Sequence, residues 1–193
     1  MQATEFEFRH RFWIITALYT AAFSCYRIDH VNVSWAIATA VAGHGGAAAD
    51  FCTRLILGCG ALAIAVGTLL RSWAAAYLHS WVVHDGKLHA DRLVSDGPYR
   101  RVRNPLYLGM TMVGVGMGLA ASRLGFAILA VGITLISCRL LWREEAMLMA
   151  TQGESYRRYL ARVPRLFPAW RARVPASGAK PNWLDGLLGE GLS

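Results

Sequence analysis

Leu106-Tyr-Leu-Gly-Met-Thr-Met-Val-Gly-Val-Gly-Met-Gly-Leu-Ala-Ala121 is followed, after only Ser122 and Arg123, by Leu124-Gly-Phe-Ala-Ile-Leu-Ala-Val-Gly-Ile-Thr-Leu-Ile-Ser-Cys138. Neither run holds an Asp, Glu, Lys or Arg. Each is a little shorter than the ~20 residues that span a bilayer as a helix, and flanking residues that snorkel or lie at the interface extend it. Two residues between the runs make a tight helical hairpin, which brings the polar segments outside it to one side. Residues 12–26 and 55–70 form two further charge-free apolar runs. The second of these resumes past Arg71 over residues 72–83, so that helix projects from the membrane or bends, and the run ending at Cys138 extends past Arg139 to Trp142. Four all-round apolar helices cannot be hidden in the core of one small soluble domain. The expected fold class is therefore all-α, a polytopic transmembrane helix bundle of four spans with a cytosolic C-terminal helical cap. Residues 31–49, where Gly43, Gly45 and Gly46 interrupt a short apolar stretch, read as interfacial or re-entrant, with a fifth span as the alternative.

Composition agrees. Of 193 residues 55% are hydrophobic and 17% charged, against about a quarter charged in soluble domains, and the mean hydropathy is +0.34. That excludes a disordered chain and argues against an ordinary soluble enzyme. The net charge of +8 suits either nucleic acid or a membrane protein with a basic inner face. With four spans and both ends cytosolic, only Arg27, Arg54 and Arg123 of the 20 Lys and Arg face out; five spans move Arg9 and Arg11 out and Arg27 in. Either way the bias is positive-inside. The basic residues lie on loops flanking spans without an aromatic-rich nucleic-acid module, so nucleic acid is not an expected partner. Cys25, Cys52, Cys59 and Cys138 lie in or near apolar runs without CxxC spacing and read as small buried hydrophobes. The first run has no small-residue cleavage site and reads as a retained span rather than a signal peptide. The expected localisation is a multi-pass integral membrane protein with its active site facing the cytosol, a bacterial inner membrane being favoured over an endoplasmic reticulum.

Polar residues gather at 84–105 and from Arg143 onward. The loop reads Asp91-Arg-Leu-Val-Ser-Asp-Gly-Pro-Tyr-Arg-Arg-Val-Arg-Asn-Pro-Leu-Tyr-Leu-Gly109. Gly97-Pro98 is a turn signal, and Pro105 suits the first turn of a helix, leaving Arg103 just outside it. Tyr99 and Tyr107 offer rings that stack on a purine or face a cation. The blander reading is a basic, membrane-hugging loop with interfacial tyrosines. The fourth run ends in Arg139-Leu-Leu-Trp-Arg-Glu-Glu145, which places two carboxylates at a membrane boundary, where they need partners. Arg139 and Arg143 are candidates, and Arg103 can reach from the neighbouring helix. Such a network either merely ends a helix or positions a substrate. Gly153 breaks the helix before an amphipathic piece over 154–162 carrying Tyr156 and Tyr159, stopped by Val163-Pro-Arg165. His79, His84 and His89 are five apart, off any one helix face, and no metal site is expected. Gly114, Gly116 and Gly118 lie mid-span, where helix packing, not a nucleotide loop, is their role.

Gly97-Pro-Tyr-Arg-x-x-Arg-Asn-Pro-x-Tyr-Leu-Gly109, then Glu144-Glu145, then Gly153-x-x-Tyr156-x-x-Tyr159 and Val163-Pro-Arg165 resembles the isoprenylcysteine carboxyl methyltransferase and phospholipid methyltransferase group of integral membrane enzymes. The likeness covers about half the chain, residues 70–168. It implies a transmembrane helix bundle with a cytosolic cap that binds S-adenosylmethionine without a Rossmann domain. Carried over by position, cofactor contacts would be His84, Asp91, Arg92, Leu93, Val94, Tyr99, Arg103, Asn104, Pro105, Leu106 and Tyr107, with Gly97 and Pro98 shaping the wall. Arg139, Glu144 and Glu145 would lie nearer the methyl acceptor as the catalytic group. Asn104 stands where many members have His, leaving a donor and an acceptor in place of an imidazole. The implied organisation is N-terminal membrane helices over 1–70, a cofactor loop, hairpin and catalytic cap over 71–168, and a tail over 169–193. The implied activity is methyl transfer to a lipophilic small molecule or lipid, a carboxyl acceptor being favoured over an amine or thiol, with the bilayer and that acceptor as partners. An NADPH-dependent sterol or isoprenoid reductase and a non-catalytic lipid-binding protein are the competing classes; the first normally needs a much larger bundle.

Overall fold

The computed structural model describes residues 2–43, 46–84 and 94–184. Among them all regular structure is helical, with one isolated bridge between Asn32 and Ser122. The order is α1 (Glu5–Arg9), α2 (Arg11–Ser24), α3 (Val33–Ala42), α4 (Ala47–His84), α5 (Pro105–Gly118) and α6 (Arg123–Arg162), with short 3-10 turns at Cys25–Arg27 and Gly97–Arg100. All four charge-free runs are thus helical over most of their length, the one from Leu106 ending at Gly118. α4 has 38 residues, about 57 Å of helix, and α6 has 40 with a break at Gly153, about 45 Å of helix before it, and both are long and apolar enough to cross a membrane. α2 and α5, at 14 residues, reach only about 21 Å, and α3, at 10, about 15 Å. α4 runs through Arg71 without a break, so the resumed apolar run continues the same helix.

The apolar surface of these helices is not a hidden core. Only 11% of the most apolar window of α4 is buried, and Phe51, Leu55, Leu62 and Leu69 stand exposed along it, as do Val131 and Leu135 on α6. An exposed stripe of this extent, formed by large aliphatic side chains, is the surface a helix presents to lipid.

The chain divides into two compact units. The first unit comprises Ala3–Thr68 and Met110–Cys138. Its N-terminal helix starts on a capping box in which Thr4 Oγ1 accepts from the Glu7 amide and Glu7 accepts from the Thr4 amide. Ala22, Leu129 and Ile133 form its core, flanked by Leu18, Met110 and Met117. Small residues allow close helix approach, as the glycine spacing predicts: a Cβ on Gly116 would lie 2.6 Å from the Gly60 carbonyl oxygen, and one on Gly114 2.9 Å from Ile133. The hairpin turn between α5 and α6 is tied down by polar groups. The Ser122 hydroxyl accepts from the Gly125 amide at 3.1 Å. Buried Asp29 accepts from the Arg123 guanidinium at 3.0 Å and from the Leu124 amide at 3.2 Å. The Arg123 hydrogen bond holds the Asp29 carboxyl below the usual carboxylate range.

The second unit comprises Met1–Gln2, Leu69–Gly109 and Arg139–Ser193. It contains the described part of the polar loop and the end of α6. α6 kinks at Gly153, whose φ of 52° and ψ of −120° suit only glycine. Beyond the kink Tyr156, Tyr159 and Val163 make a small core with Leu148, Met149 and Val174.

Candidate active site

Every residue of the candidate site that can be described belongs to the second unit. The loop enters it through Asp96, which is extended, and turns at Gly97, whose φ of 57° is left-handed. A Cβ there would also collide with the Tyr77 ring of α4. Pro98 presets the following 3-10 turn, in which the Tyr99 amide donates to the Asp96 carbonyl at 3.1 Å and the Arg101 amide to the Pro98 carbonyl at 2.9 Å. Pro105 then opens α5 at the first helical position, where its missing N–H leaves no helical bond unmade. Arg103 and Asn104 are therefore held between a fixed turn and a fixed helix start.

Their side chains converge on Glu145. Its carboxylate, 8% exposed, accepts from Arg103 Nη1 at 3.2 Å, Asn104 Nδ2 at 3.1 Å and Arg165 Nη2 at 2.8 Å. Two guanidiniums and an amide thus occupy both carboxylate oxygens. Glu144, one position earlier on α6, accepts from the Tyr107 hydroxyl at 2.6 Å. The sequence expectation that Arg103 reaches the Glu144-Glu145 pair describes the geometry; the partners that the sequence reading did not assign are Asn104 and Arg165 on Glu145 and Tyr107 on Glu144. Arg103 Nε is buried and finds no acceptor among the described residues.

The segment after α6 lies along the loop as a strap. The Arg103 amide donates to the Pro164 carbonyl at 2.9 Å, the Ala169 amide to Arg101 at 2.8 Å, and the Arg173 amide to Arg100 at 2.8 Å. Arg100 Nε donates to the Val174 carbonyl at 2.9 Å. Buried Asp96 accepts from the Ser177 hydroxyl, from the Ser177 amide at 2.9 Å and from the Ala179 amide at 3.2 Å. The Asn182 amide reaches the Ala76 carbonyl on α4 at 2.9 Å. The Tyr159 hydroxyl donates to the Tyr99 carbonyl at 2.7 Å from inside the small core. Residues 169–182, assigned no role beyond a tail in the sequence, bond to the loop at Arg100, Arg101 and Asp96.

Burial shapes the electrostatics. It pushes the Tyr99 phenol well above its ordinary value, with Tyr159 and Glu144 adding to the effect. Burial and the Glu145 charge push Tyr156, beyond the Gly153 kink, up to about 12. A notch of about 210 Å³ lined by Ser95, Ser155, Arg158, Tyr159, Arg162 and Val174 is below the ~300 Å³ at which small-molecule clefts begin.

Of the residues expected at the site, Gly97, Pro98, Tyr99, Arg103, Asn104, Pro105, Leu106, Tyr107, Glu144 and Glu145 fall on the loop, the start of α5 and the matching stretch of α6. Arg139 is half-buried on α6, between five and six positions before the carboxylates, and Val94 is half-buried ahead of Asp96. His84 closes α4, but its side chain lies outside what is described, and Asp91, Arg92 and Leu93 lie wholly outside the described residues. Asp96, Ser177, Val174 and Asn182 went unassigned. Only Asp96, an Asx residue beside a glycine turn, carried a readable signal.

Comparison with known proteins fits this geometry. Residues 53–154 match the family model described as Phospholipid methyltransferase. The chain is 28% identical over 139 residues to the "Cobalt-zinc-cadmium resistance protein CzcN" of Cupriavidus metallidurans, covering 72% of this chain and 61% of that protein. It is likewise 28% identical over 142 residues to the "Nickel-cobalt-cadmium resistance protein NccN" of Alcaligenes xylosoxydans xylosoxydans, covering 73% and 63%. The chain thus spans a little over three fifths of the length of these curated relatives. No solved structure matches it. The family match extends over more than half of the chain and takes in the Arg103-Asn104 loop and both carboxylates of α6, and on that ground the chain belongs to the phospholipid methyltransferase family.

Proposed function

We propose that this protein transfers a methyl group from S-adenosylmethionine to a lipophilic acceptor at the cytosolic face of a bacterial inner membrane. In this reading four helices span the bilayer and the C-terminal helical region forms a cytosolic cap. The observation that carries it is the family match, which takes in Glu145 and two of its three donors, Arg103 and Asn104. The buried Arg103 Nε, without an acceptor among the described residues, fits an anionic ligand group such as the cofactor's carboxylate. Asn104, Tyr107 and Tyr99, with the Gly97-Pro98 backbone, would complete the binding wall, and His84, Asp91, Arg92 and Leu93 would close it. When bound, the cofactor supplies an activated sulfonium methyl, so the protein's work is to orient the acceptor and exclude water.

The two carboxylates divide that work. Glu145 is committed to three donors and serves as a positioning residue that sets Arg103 and Asn104. Glu144, which accepts from the Tyr107 hydroxyl, is the group that would take a proton from an amine or thiol acceptor. A carboxyl acceptor, which we favour, needs no base, only a cation such as Arg139 to hold it. The relatives are named for resistance to cobalt, zinc, cadmium and nickel. We read a link of this chain to metal tolerance as running through the methylated product.

Calorimetry on the protein purified in detergent tests the reading. S-adenosylhomocysteine should bind and NADPH should not, and Arg103→Ala should weaken that binding about 10–100-fold, the value of a charge-assisted hydrogen bond. Binding of NADPH alone would move the assignment to a reductase, and binding of neither would leave a lipid-binding protein. A methyl-transfer screen over lipophilic acids, amines and thiols then fixes the acceptor. Glu144→Gln should slow amine or thiol methylation and leave carboxyl methylation nearly unchanged.

A further inference from the structure

The strap that holds the loop turns two large aromatic side chains outward. Phe167 is 86% exposed and Trp170 93% exposed. Neither sits on a loose chain: the backbone around them is fixed at Pro164, Ala169 and Arg173 by hydrogen bonds to Arg103, Arg101 and Arg100. A phenyl and an indole presented outward on an ordered backbone, rimmed by charged residues, make a feature suited to contact with an apolar or interfacial surface.

The position of the strap along the helices indicates what that is. Arg165, two residues before Phe167, is paired to Glu145 at 2.8 Å. Glu145 lies three residues past Trp142, where the apolar run of α6 ends, a rise of about 4.5 Å. The strap also bonds to Arg103, two residues before Pro105 opens the apolar α5. Two apolar helices therefore meet their polar ends beside these aromatics, which is headgroup depth for a chain embedded by those helices. Charge points the same way. Residues 155–184 contain six arginines and one lysine and no acidic residue. Arg171 and Arg173, next to Trp170, are exposed.

We infer that Phe167 and Trp170, flanked by Arg165, Arg171 and Arg173, form a docking surface for an anionic phospholipid headgroup layer. The aromatics enter the interface and the guanidiniums meet lipid phosphates, the chemistry of an interfacial anchor. The inference rests on the membrane placement proposed above and adds to it a contact made by the segment that braces Arg100, Arg101 and Arg103.

The test uses the full chain in nanodiscs of phosphatidylcholine alone or mixed with phosphatidylglycerol, each with and without brominated acyl chains. The fluorescence difference between wild type and Trp170→Phe isolates the Trp170 signal. Bromolipid should quench that signal, at least twofold more strongly in the phosphatidylglycerol discs. Arg171→Gln with Arg173→Gln should remove the dependence on phosphatidylglycerol, since each arginine near an anionic surface is worth about fivefold in partitioning. A Trp170 signal untouched by bromolipid, or quenched equally in both discs and in the double variant, overturns the inference. So does an unquenched Trp170 accompanied by a second copy of the chain in the disc, which would assign the surface to self-association. Two controls separate this from the readings beneath it. The Trp142→Phe difference reports insertion itself, and S-adenosylhomocysteine binding on the same discs tests the methyltransferase reading without affecting the quenching result.

Discussion

At the scale of single residues the site depends on how unequally the three donors to Glu145 are buried. Arg103 is 12% exposed at its side chain and Arg165 47%, around a carboxylate that is 8% exposed. Removing the carboxylate leaves a guanidinium without its partner inside the protein, whereas removing Arg165 leaves the carboxylate with Arg103 and Asn104 still in place. Glu145→Ala should therefore lower stability by about 3 kcal/mol and Arg165→Ala by no more than about 1 kcal/mol, read from thermal unfolding in detergent. Equal losses would show that the strap, not the burial, determines the strength of the bridge. The Arg103–Glu145 pair was legible in the sequence because both residues flank apolar runs where a charge needs a partner. Arg165 was quoted in the same ordered series without a role, since an exposed arginine after a proline has many possible neighbours and spacing does not choose between them.

At the scale of elements, the turn at Gly97–Arg100 is the least replaceable piece. Gly97 is left-handed and its missing side chain is the space that the Tyr77 ring fills. Gly97→Ala combines about 1 kcal/mol of backbone strain with displacement of an aromatic ring, and the loop that follows must shift. The expected result is at least a tenfold loss of S-adenosylhomocysteine affinity with helix content by circular dichroism unchanged. Gly153→Ala, with open space at its Cβ, should disturb the end of α6 through backbone strain alone. The helices themselves were readable: uninterrupted apolar runs gave α2, α4, α5 and α6, proline marked the start of α5, and glycine marked the kink in α6. The strap was not readable. Its hold on the loop runs mainly through backbone amides and carbonyls, which every residue carries, so composition and periodicity have no access to it.

At the scale of the molecule the two units should fail at opposite ends of the pH range. In the first, Asp29 titrates below its ordinary value of 3.8, so the stability it lends the hairpin turn is present above that value and lost as the pH falls through the folded pKa. In the second, Tyr156 is raised from 10.0 to about 12, so its contribution is complete below pH 10 and lost as the pH rises to about 12. Unfolding followed against pH should show an acid limb made shallower by Asp29→Asn and an alkaline limb, to which Tyr99 and Tyr159 also contribute, made shallower by Tyr156→Phe, each variant leaving the other limb in place. The strap has a consequence in time as well as in space. Asp96 and Arg103 leave the ribosome long before Ser177 and Pro164 exist to bond with them. At roughly 5–20 residues per second the loop waits several seconds for its last partners. A nascent chain can thus complete its helices while the loop around Arg103 is still unfinished, and, under the proposed function, a product cut short before Pro164 emerges would carry those helices without a finished cofactor site.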